Sequence, residues 1–316
     1  MRFAILGAGA LGTILGAHLS RSGHDVVMIA RGERARSIAR QGLVVRGLAN
    51  VEARPAVLDD PKGLLEADTL IVATKAIDTP ATLASVGHVR FDSVLSVQNG
   101  ALKDELLARV FGPSSVLGAM ADFSGELTSS GEVKFTRNVC LYLGDETGAL
   151  SRRAEELARV VDAAGVRSKA VPDIRTREWS KFVGWIPLFL VAALTRQITW
   201  KFLVDPQTAV VVVRMARETA ALATALQIEI VDASPLPVPS IVHATDEAAM
   251  EIVHGIGKTF LDKSPEHRMS SQQDVLRGSR LEYVETLGHA LELSREVGVP
   301  MPTLDIGYRI LAVAHP

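Results

Sequence analysis

Three glycines near the start of the chain have the spacing of a loop that binds phosphate. Residues 7–12 read Gly-Ala-Gly-Ala-Leu-Gly, after an apolar run that begins at Phe3 and before a helical pattern. In such a loop Gly7 permits a tight turn and Gly9 lets the backbone approach a pyrophosphate, while Gly12 allows close packing of helix and strand. This spacing, in this context, predicts a dinucleotide site.

The predicted helix after the glycines supplies the donors for that site. The backbone amides of Ala10 and Leu11 begin the helix, and its positive dipole end faces the same space. A second apolar run, Asp25–Ala30, follows at the distance expected of a βαβ unit. The other interpretation of the motif is a glycine-rich turn that binds nothing.

An arginine at the tip of the second predicted strand indicates which dinucleotide is bound. NAD enzymes usually place Asp or Glu there to accept from the ribose hydroxyls. This chain has Arg31 instead, and a guanidinium matches the oxygens of a 2′-phosphate. The sequence therefore favours NADP(H) over NAD(H), whereas Arg34, Arg36 and Arg40 are interpreted as an ordinary solvated helix face.

Polar side chains follow two further predicted strands. Lys75 follows Thr69–Thr74, and Asn99 follows Ser93–Val97. Ligands of open α/β sheets bind at the carboxyl ends of the strands, so Lys75 could reach a ribose or phosphate and Asn99 the nicotinamide ribose or substrate. The alternatives are a solvated lysine and a turn-forming Asn-Gly dipeptide.

A lysine in an apolar stretch is the candidate acid of the second half. Lys181 is the only basic residue in a run that extends to Leu194. A lysine ammonium can protonate a carbonyl oxygen as hydride arrives, although a lysine near a helix start can also simply snorkel. Further on, Ser270 and Ser271 are explained as helix caps, and Glu282 alone reads as a solvated charge.

The elements that must position these residues divide the chain in two. Before Pro172 strands alternate with helices, and further strands are predicted at Val116–Met120, Val139–Leu143 and Arg167–Val171 around a polar turn at Gly125–Gly131. This alternation predicts an α/β fold with a Rossmann-type, mainly parallel, doubly wound sheet.

After Pro172 the alternation ends and only helical patterns remain. They cover Thr176–Leu194, Pro206–Ala225, Thr245–Leu261, Ser271–Val297 and a last segment from Met301. We therefore expect an NADP-binding domain over residues 1–170 and an all-helical domain over residues 171–316 that carries the substrate and catalytic residues.

Composition narrows the class of protein. The 316 residues carry a net charge of −2, and no basic tail or stripe predicts a nucleic-acid or membrane partner. The single cysteine, Cys140, excludes an intrachain disulfide, and no His/Cys/Asp cluster predicts a metal. The longest apolar run, Phe182–Leu194, is too short to span a bilayer, and the first strand leaves no room for a signal peptide. A cytoplasmic enzyme with a small-molecule substrate is expected, and apolar helix faces could form a homodimer.

Taken in order, these motifs give the chain a family resemblance. Over essentially its whole length the chain resembles the ketopantoate reductases (2-dehydropantoate 2-reductases). Besides the glycine loop, the resemblance rests on residues 74–76 (Thr-Lys-Ala), 98–100 (Gln-Asn-Gly), 131–133 (Gly-Glu-Val), 179–182 (Trp-Ser-Lys-Phe), and 270–274 (Ser-Ser-Gln-Gln-Asp) with Glu282 after them. It assigns Thr74 and Lys75 to the cofactor.

The resemblance also implies a reaction. Family members have a Rossmann domain and a helical domain, and they reduce 2-dehydropantoate to pantoate with NADPH, a step of pantothenate biosynthesis. On the matching positions, Lys181 is the general acid and Asn99 orients substrate and cofactor. Ser270 and Glu282 hold the carboxylate side and the hydroxyl side of the substrate.

One departure from the family concerns the substrate. The family usually has asparagines four and eight residues after the lysine, where this chain has Trp185 and Phe189. Residues so spaced share a helix face with Lys181. Either the rings have turned into the core, helped by a helix perturbed at Pro187, or the substrate is bulkier, more apolar or without a terminal hydroxyl. A non-catalytic NADP-binding sensor is a further alternative, although it would not need Lys181 or Glu282.

Overall fold

The computed structural model describes residues 1–145, 147–233 and 235–315. Its internal contacts divide the chain into two compact units, Met1–Ile174 and Arg175–Pro316. The division lies four residues beyond the predicted one, between residues 170 and 171. The functions expected of the two domains stay predictions.

The first unit alternates strands and helices, as predicted. In chain order its elements are β1 (Arg2–Leu6), α1 (Ala10–Arg21), β2 (Asp25–Ile29), α2 (Gly32–Gln41), β3 (Leu43–Gly47), β4 (Val51–Ala53), β5 (Ala56–Leu58), β6 (Glu66–Val72), α3 (Thr79–Ala84), β7 (Arg90–Ser96), α4 (Lys103–Phe111), β8 (Gly118–Leu127), β9 (Val133–Gly144), α5 (Arg152–Ala163) and β10 (Ser168–Ala170).

The first sheet has the Rossmann-type arrangement expected from the sequence. Its strand order is β5-β2-β1-β6-β7, and every pairing is parallel. Phe3, Ala4 and Ile5 of the central strand are fully buried because parallel sheets are covered on both faces. This explains why β1 reads as an unbroken apolar run.

The later strands do not extend this sheet, which corrects the expectation of a single sheet. They form a second, mixed sheet of order β10-β9-β3-β4, with β8 antiparallel to β9. The turn predicted over Gly125–Gly131 is shorter than expected because β8 continues to Leu127. A local pattern can indicate a strand, but the pairing partner depends on contacts between distant residues.

The helix that follows the glycine loop lies in the main apolar core. Ile14 and Leu15 of α1 belong to the same buried cluster as Ile5 of β1 and Leu43 and Phe135 of the second sheet. Packing from both sheets therefore fixes the start of α1, where the dinucleotide site is predicted.

The second unit is helical. Its elements are α6 (Ile174–Thr195, whose first residue ends the first unit), α7 (Thr199–Val204), α8 (Pro206–Ala225), α9 (Val238–His243), α10 (Asp246–Lys263), α11 (Ser270–Arg277), a π-helical turn (Val284–Gly288), α12 (His289–Glu296) and α13 (Pro302–Ala314). Within the described residues, no helix has the length and apolar character needed to cross a membrane.

The prediction of one helix over Ser271–Val297 is wrong. Helix α11 ends at Arg277, where Gly278 adopts a left-handed conformation with φ of 64°. The amides of Gly278 and Ser279 donate back to the carbonyls of Val275 and Asp274, closing the helix end. A glycine in this position is a common helix stop, and here it divides two segments of similar periodicity.

Pro187 lies inside α6, which continues through it from Ile174 to Thr195. Proline has no amide hydrogen, so a proline inside a helix leaves the carbonyl four residues earlier without a partner. In α6 this is the carbonyl of Val183. The fully buried Thr219 hydroxyl, from α8, shares its single hydrogen between that carbonyl at 3.1 Å and the Ala216 carbonyl at 3.0 Å. A neighbouring helix thus satisfies the group that the proline leaves open.

Candidate functional site

Backbone hydrogen bonds continue past the strand ends at the carboxyl edge of the first sheet. The amide–carbonyl pairs are Gly7 to Ile29, Ala73 to Leu6, Val97 to Val72 and Ala30 to Leu58, at 2.8–3.0 Å. The segments after β1, β2, β6 and β7 therefore lie side by side. Gly7, Arg31, Lys75 and Asn99, which were predicted to share this edge, are brought to it.

The space around the three glycines of the loop differs from one to the next. Gly7 has φ of 104°, and an added Cβ would lie 2.6 Å from the Thr74 amide nitrogen. At Gly12 a Cβ would lie 2.1 Å from the Gly7 carbonyl oxygen. At Gly9 the nearest atom would be the Ala73 oxygen at 3.8 Å, an ordinary contact. The protein's own packing requires Gly7 and Gly12, whereas Gly9 keeps a space open.

The start of α1 offers donors to that space. The first bond of the helix runs from the Thr13 amide to the Gly9 carbonyl at 3.0 Å. The amides of Ala10, Leu11 and Gly12 precede this bond and belong to the turn whose N–H groups point outward. An open cradle beside such a helix start fits a pyrophosphate, as a bound dinucleotide requires.

The arginines near β2 have different surroundings. Arg31 is exposed, lies two residues after the end of β2 and is the N-terminal flanking residue of α2. Arg36 and Arg40 pair with Glu33 on the solvent face, as predicted. Hydrogen bonds from Arg40 and then Arg36 lower the pKa of the Glu33 carboxyl from its ordinary value. Arg31 is thus placed where a 2′-phosphate donor is expected.

Arg34 does not belong to that solvated face, and the prediction for it is wrong. Its Nε donates to the Ala8 carbonyl at 2.9 Å, Nη2 to the Thr13 hydroxyl at 2.8 Å and Nη1 to the Gly131 carbonyl at 2.7 Å. Burial lowers the pKa of its guanidinium from the ordinary value. No local pattern signals this contact, because Gly131 lies 97 residues from Arg34 along the chain.

Gln98 is a residue whose role sequence reasoning missed. Its buried amide donates to the hydroxyls of Thr74 at 3.1 Å and Thr79 at 2.7 Å, and its oxygen accepts from Ser96 at 2.9 Å. The Thr79 hydroxyl in turn donates to the Lys75 carbonyl at 3.4 Å. Gln98 therefore connects the ends of β6 and β7. An amide directly after a buried strand was the available signal.

Lys75 and Asn99, the residues predicted to contact a ligand at these two strand ends, are at least partly exposed. Lys75 is exposed and has extended backbone before a short 3₁₀ turn, Ala76–Asp78. Asn99 is partly exposed, and Gly100 after it has φ of 108°, as a turn requires. Both positions allow contact with a ligand at this edge.

In the second unit, the predicted residues of α6 occupy one helix face. Lys181 is partly buried, whereas Trp185 and Phe189 are 5% and 1% exposed. Their ring centroids are 4.6 Å apart at an interplanar angle of 45°. The two rings contact each other as their spacing predicts, and both are buried; they follow Lys181 along the helix.

The start of helix α11 is hydrogen-bonded to α6 at Phe189. The buried Ser271 hydroxyl donates to the Phe189 carbonyl at 2.9 Å. Ser270 is exposed in the same first turn. The residue flanking the helix is Met269, with no side-chain cap, so the interpretation of both serines as caps is wrong. Ser271 instead ties the first turn of α11, which includes Ser270, to α6.

Glu282 is buried, with 8% exposure, and is not the solvated charge that its isolated sequence context indicated. Its carbonyl accepts a hydrogen bond from the Thr286 hydroxyl in the π-helical turn. Such turns often lie at functional sites. A buried carboxyl group needs polar partners, which makes this position informative. Among residues 1–145, 147–233 and 235–315, no group of three or more metal-ligating side chains lies together.

A dinucleotide cradle on a Rossmann-type sheet, with a helical unit carrying a lysine and a buried glutamate, defines a nicotinamide-dependent oxidoreductase. Residues 3–148 match the family model "Ketopantoate reductase PanE/ApbA", and residues 173–315 match "Ketopantoate reductase PanE/ApbA C terminal". The chain belongs to the ketopantoate reductase family.

Individual relatives extend this comparison. A 2-dehydropantoate 2-reductase from Archaeoglobus fulgidus is 29% identical over 298 residues, covering 94% of this chain and 92% of the relative. The structure of D-mandelate dehydrogenase with NADH and anilino(oxo)acetate superposes with a TM-score of 0.86 at 19% identity, covering 100% of this chain and 98% of the other. A dimeric ketopantoate reductase from Staphylococcus aureus gives a TM-score of 0.74 at 17% identity, covering 100% and 99%.

Proposed function

We propose that this oxidoreductase reduces a 2-oxo acid to a 2-hydroxy acid with NADPH, and that Lys181 is the general acid. The observation that carries the proposal is Lys181 itself, a partly buried ammonium donor directly before the apolar stretch Phe182–Leu194 of α6, in a chain with a dinucleotide cradle. Bound NADPH supplies the hydride.

The chain's own residues would do the rest of the chemistry. The Lys181 ammonium donates a proton to the carbonyl oxygen of the substrate and stabilises the charge that develops there. Asn99 and Glu282 fix the orientation of the substrate, because small errors of geometry erode the advantage of proximity. Ser270, at the start of α11, binds the carboxylate side.

Two substrate classes have support. The first is 2-dehydropantoate, the substrate named for the Archaeoglobus fulgidus relative, which would place the protein in pantothenate biosynthesis. The second is a 2-oxo acid with a larger apolar side chain, favoured by the Trp185–Phe189 pair. These rings cannot replace two hydrogen-bonding amides, and a lost partner for a buried hydroxyl costs about 1–3 kcal/mol.

The test follows NADPH oxidation with 2-dehydropantoate beside phenylglyoxylate and aliphatic 2-oxo acids without a hydroxyl, comparing kcat/KM. A preference for 2-dehydropantoate supports the first class, and a preference of about tenfold or more for an apolar acid, the equivalent of ~1.4 kcal/mol, supports the second. NADPH that binds but is never oxidised across this panel would instead indicate the sensor.

Arg31 gives the test of cofactor choice. We expect Arg31→Ala to raise the KM for NADPH by about 10- to 100-fold, because a charge-assisted hydrogen bond contributes about 1.5–3 kcal/mol. The KM for NADH should change little, because NADH has no 2′-phosphate. Arg36→Ala, which removes an exposed arginine of the same helix, is the matched control. Equal effects of Arg31→Ala on both cofactors would contradict this assignment.

We also propose a homodimer, for which the dimeric relative from Staphylococcus aureus is the support. Light scattering should then give twice the mass of the chain at micromolar concentration. A mass equal to one chain throughout the accessible range would contradict it.

A further inference from the structure

We infer that Arg34 holds the glycine loop in its phosphate-binding shape and thereby sets the affinity for the dinucleotide. The inference rests on the proposed cofactor, and it concerns a residue that touches the protein around the cradle. Arg34 is therefore a positioning residue.

The first argument is geometric. One guanidinium joins three separate segments: the glycine loop at Ala8, the first turn of α1 at Thr13, and the β8–β9 turn at Gly131. The Thr13 hydroxyl also donates to the Ala8 carbonyl at 3.3 Å. The backbone that leads into Gly9 is thus fixed on the side of the second sheet.

The β8–β9 turn is shaped to accept this contact. Gly131 has φ of 89°, and a Cβ there would lie 3.2 Å from Nη1 of Arg34 and 2.9 Å from Nε2 of Gln41. Gln41 itself donates to the Ser130 carbonyl at 3.3 Å. A side chain at position 131 would be strained at this φ, and it would crowd the ends of the Arg34 and Gln41 side chains.

The second argument is electrostatic. The groups that accept from Arg34 are two carbonyls and a hydroxyl, and among the described residues no carboxylate lies within ion-pair distance of it. Arg36 and Arg40 of the same helix, in contrast, share Glu33 as a counter-ion. A partly buried charge without a counter-ion raises the positive potential beside the start of α1, where an anion would bind.

Lysine could not take the place of this arginine. A guanidinium presents donors in a rigid fork, whereas an ammonium is a point charge on a flexible stem. A lysine would keep the positive charge but could not hold all three acceptors in their present directions. The Arg34→Lys variant therefore separates geometry from charge.

The test measures the Kd for NADPH by fluorescence titration for wild type, Arg34→Met, Arg34→Lys and the matched control Arg36→Met. We expect Arg34→Met to weaken binding about 10-fold or more, and Arg34→Lys to weaken it at least threefold. Arg36→Met should stay within twofold of wild type. At saturating NADPH, kcat and the KM for the oxo acid should stay within twofold of wild type for both Arg34 variants.

Several outcomes would overturn the inference. One is a Kd for Arg34→Met within twofold of that for Arg36→Met, with wild type binding NADPH normally; the proposed function would then stand. If Arg34→Met unfolds, Thr13→Val removes one of the acceptors under a retained arginine, and unchanged NADPH affinity there would count against the inference. A wild-type protein that binds no nicotinamide dinucleotide would defeat both proposals.

Discussion

Replacing Lys181 with alanine is expected to lower kcat by about 10²- to 10⁴-fold, the usual contribution of a positioned proton donor. Lys181 is the only lysine of α6 and is partly buried, so no neighbouring lysine of this helix should substitute. NADPH should still bind with its wild-type Kd, because the cradle belongs to the first unit. Stopped-flow and steady-state measurements of NADPH oxidation would separate the two quantities.

The matched control is Lys258→Ala, which removes an exposed lysine from α10 of the same unit. Its kcat should equal that of wild type. Turnover by the Lys181 variant at the wild-type rate, with NADPH bound, would reject the lysine as the acid. A kcat loss accompanied by a large drop in thermal stability would be assigned to folding, and Lys181→Met would then be used as a variant of similar length.

Alanine substitutions at two glycines of the same loop should have different consequences. Gly12→Ala places a Cβ 2.1 Å from the Gly7 carbonyl oxygen. Because this oxygen belongs to the backbone, it cannot move aside as the end of a flexible side chain could. We expect destabilisation of about 3 kcal/mol, at the upper end of the range for overpacking, together with loss of NADPH binding. Gly9→Ala meets its nearest atom at 3.8 Å and has φ of −70°, which alanine adopts readily.

Gly9→Ala should therefore cost at most about 1 kcal/mol of stability, the usual scale at a helix-flanking position. Its methyl group would, however, occupy the space kept for the pyrophosphate, so NADPH affinity should fall about 10- to 100-fold. Denaturant unfolding gives the free energy of unfolding of each variant, and NADPH titration gives its Kd. Wild-type affinity in Gly9→Ala would mean that phosphate binds elsewhere.

Much of the first sheet and its ligand edge could be predicted from the sequence because the signals are local. Each signal is contained in a short segment of the chain: the apolar run of β1, the glycine spacing after it, and the polar residues that follow β6 and β7. Parallel topology then brings the strand ends to one edge, where Gly7, Lys75 and Asn99 are found.

What the sequence could not supply depends on distant partners. The second sheet needs the pairing of β3 with β9, which are far apart in the chain. Arg34 looked like its solvated neighbours because its acceptor at Gly131 lies in another turn. Glu282 looked exposed because the local pattern around it does not record its burial, which is 8% exposure in the fold.

Pro187 and Thr219 carry a consequence for how sequences of this kind can change. The threonine hydroxyl is needed at the Val183 carbonyl only as long as residue 187 lacks an amide hydrogen. The two positions should therefore be thermodynamically coupled: the cost of Thr219→Val in a Pro187→Ala background should be smaller than in wild type, giving a non-additive double-mutant cycle. In a related chain without proline at position 187, the threonine at position 219 would no longer be required, so we expect the two residues to occur together.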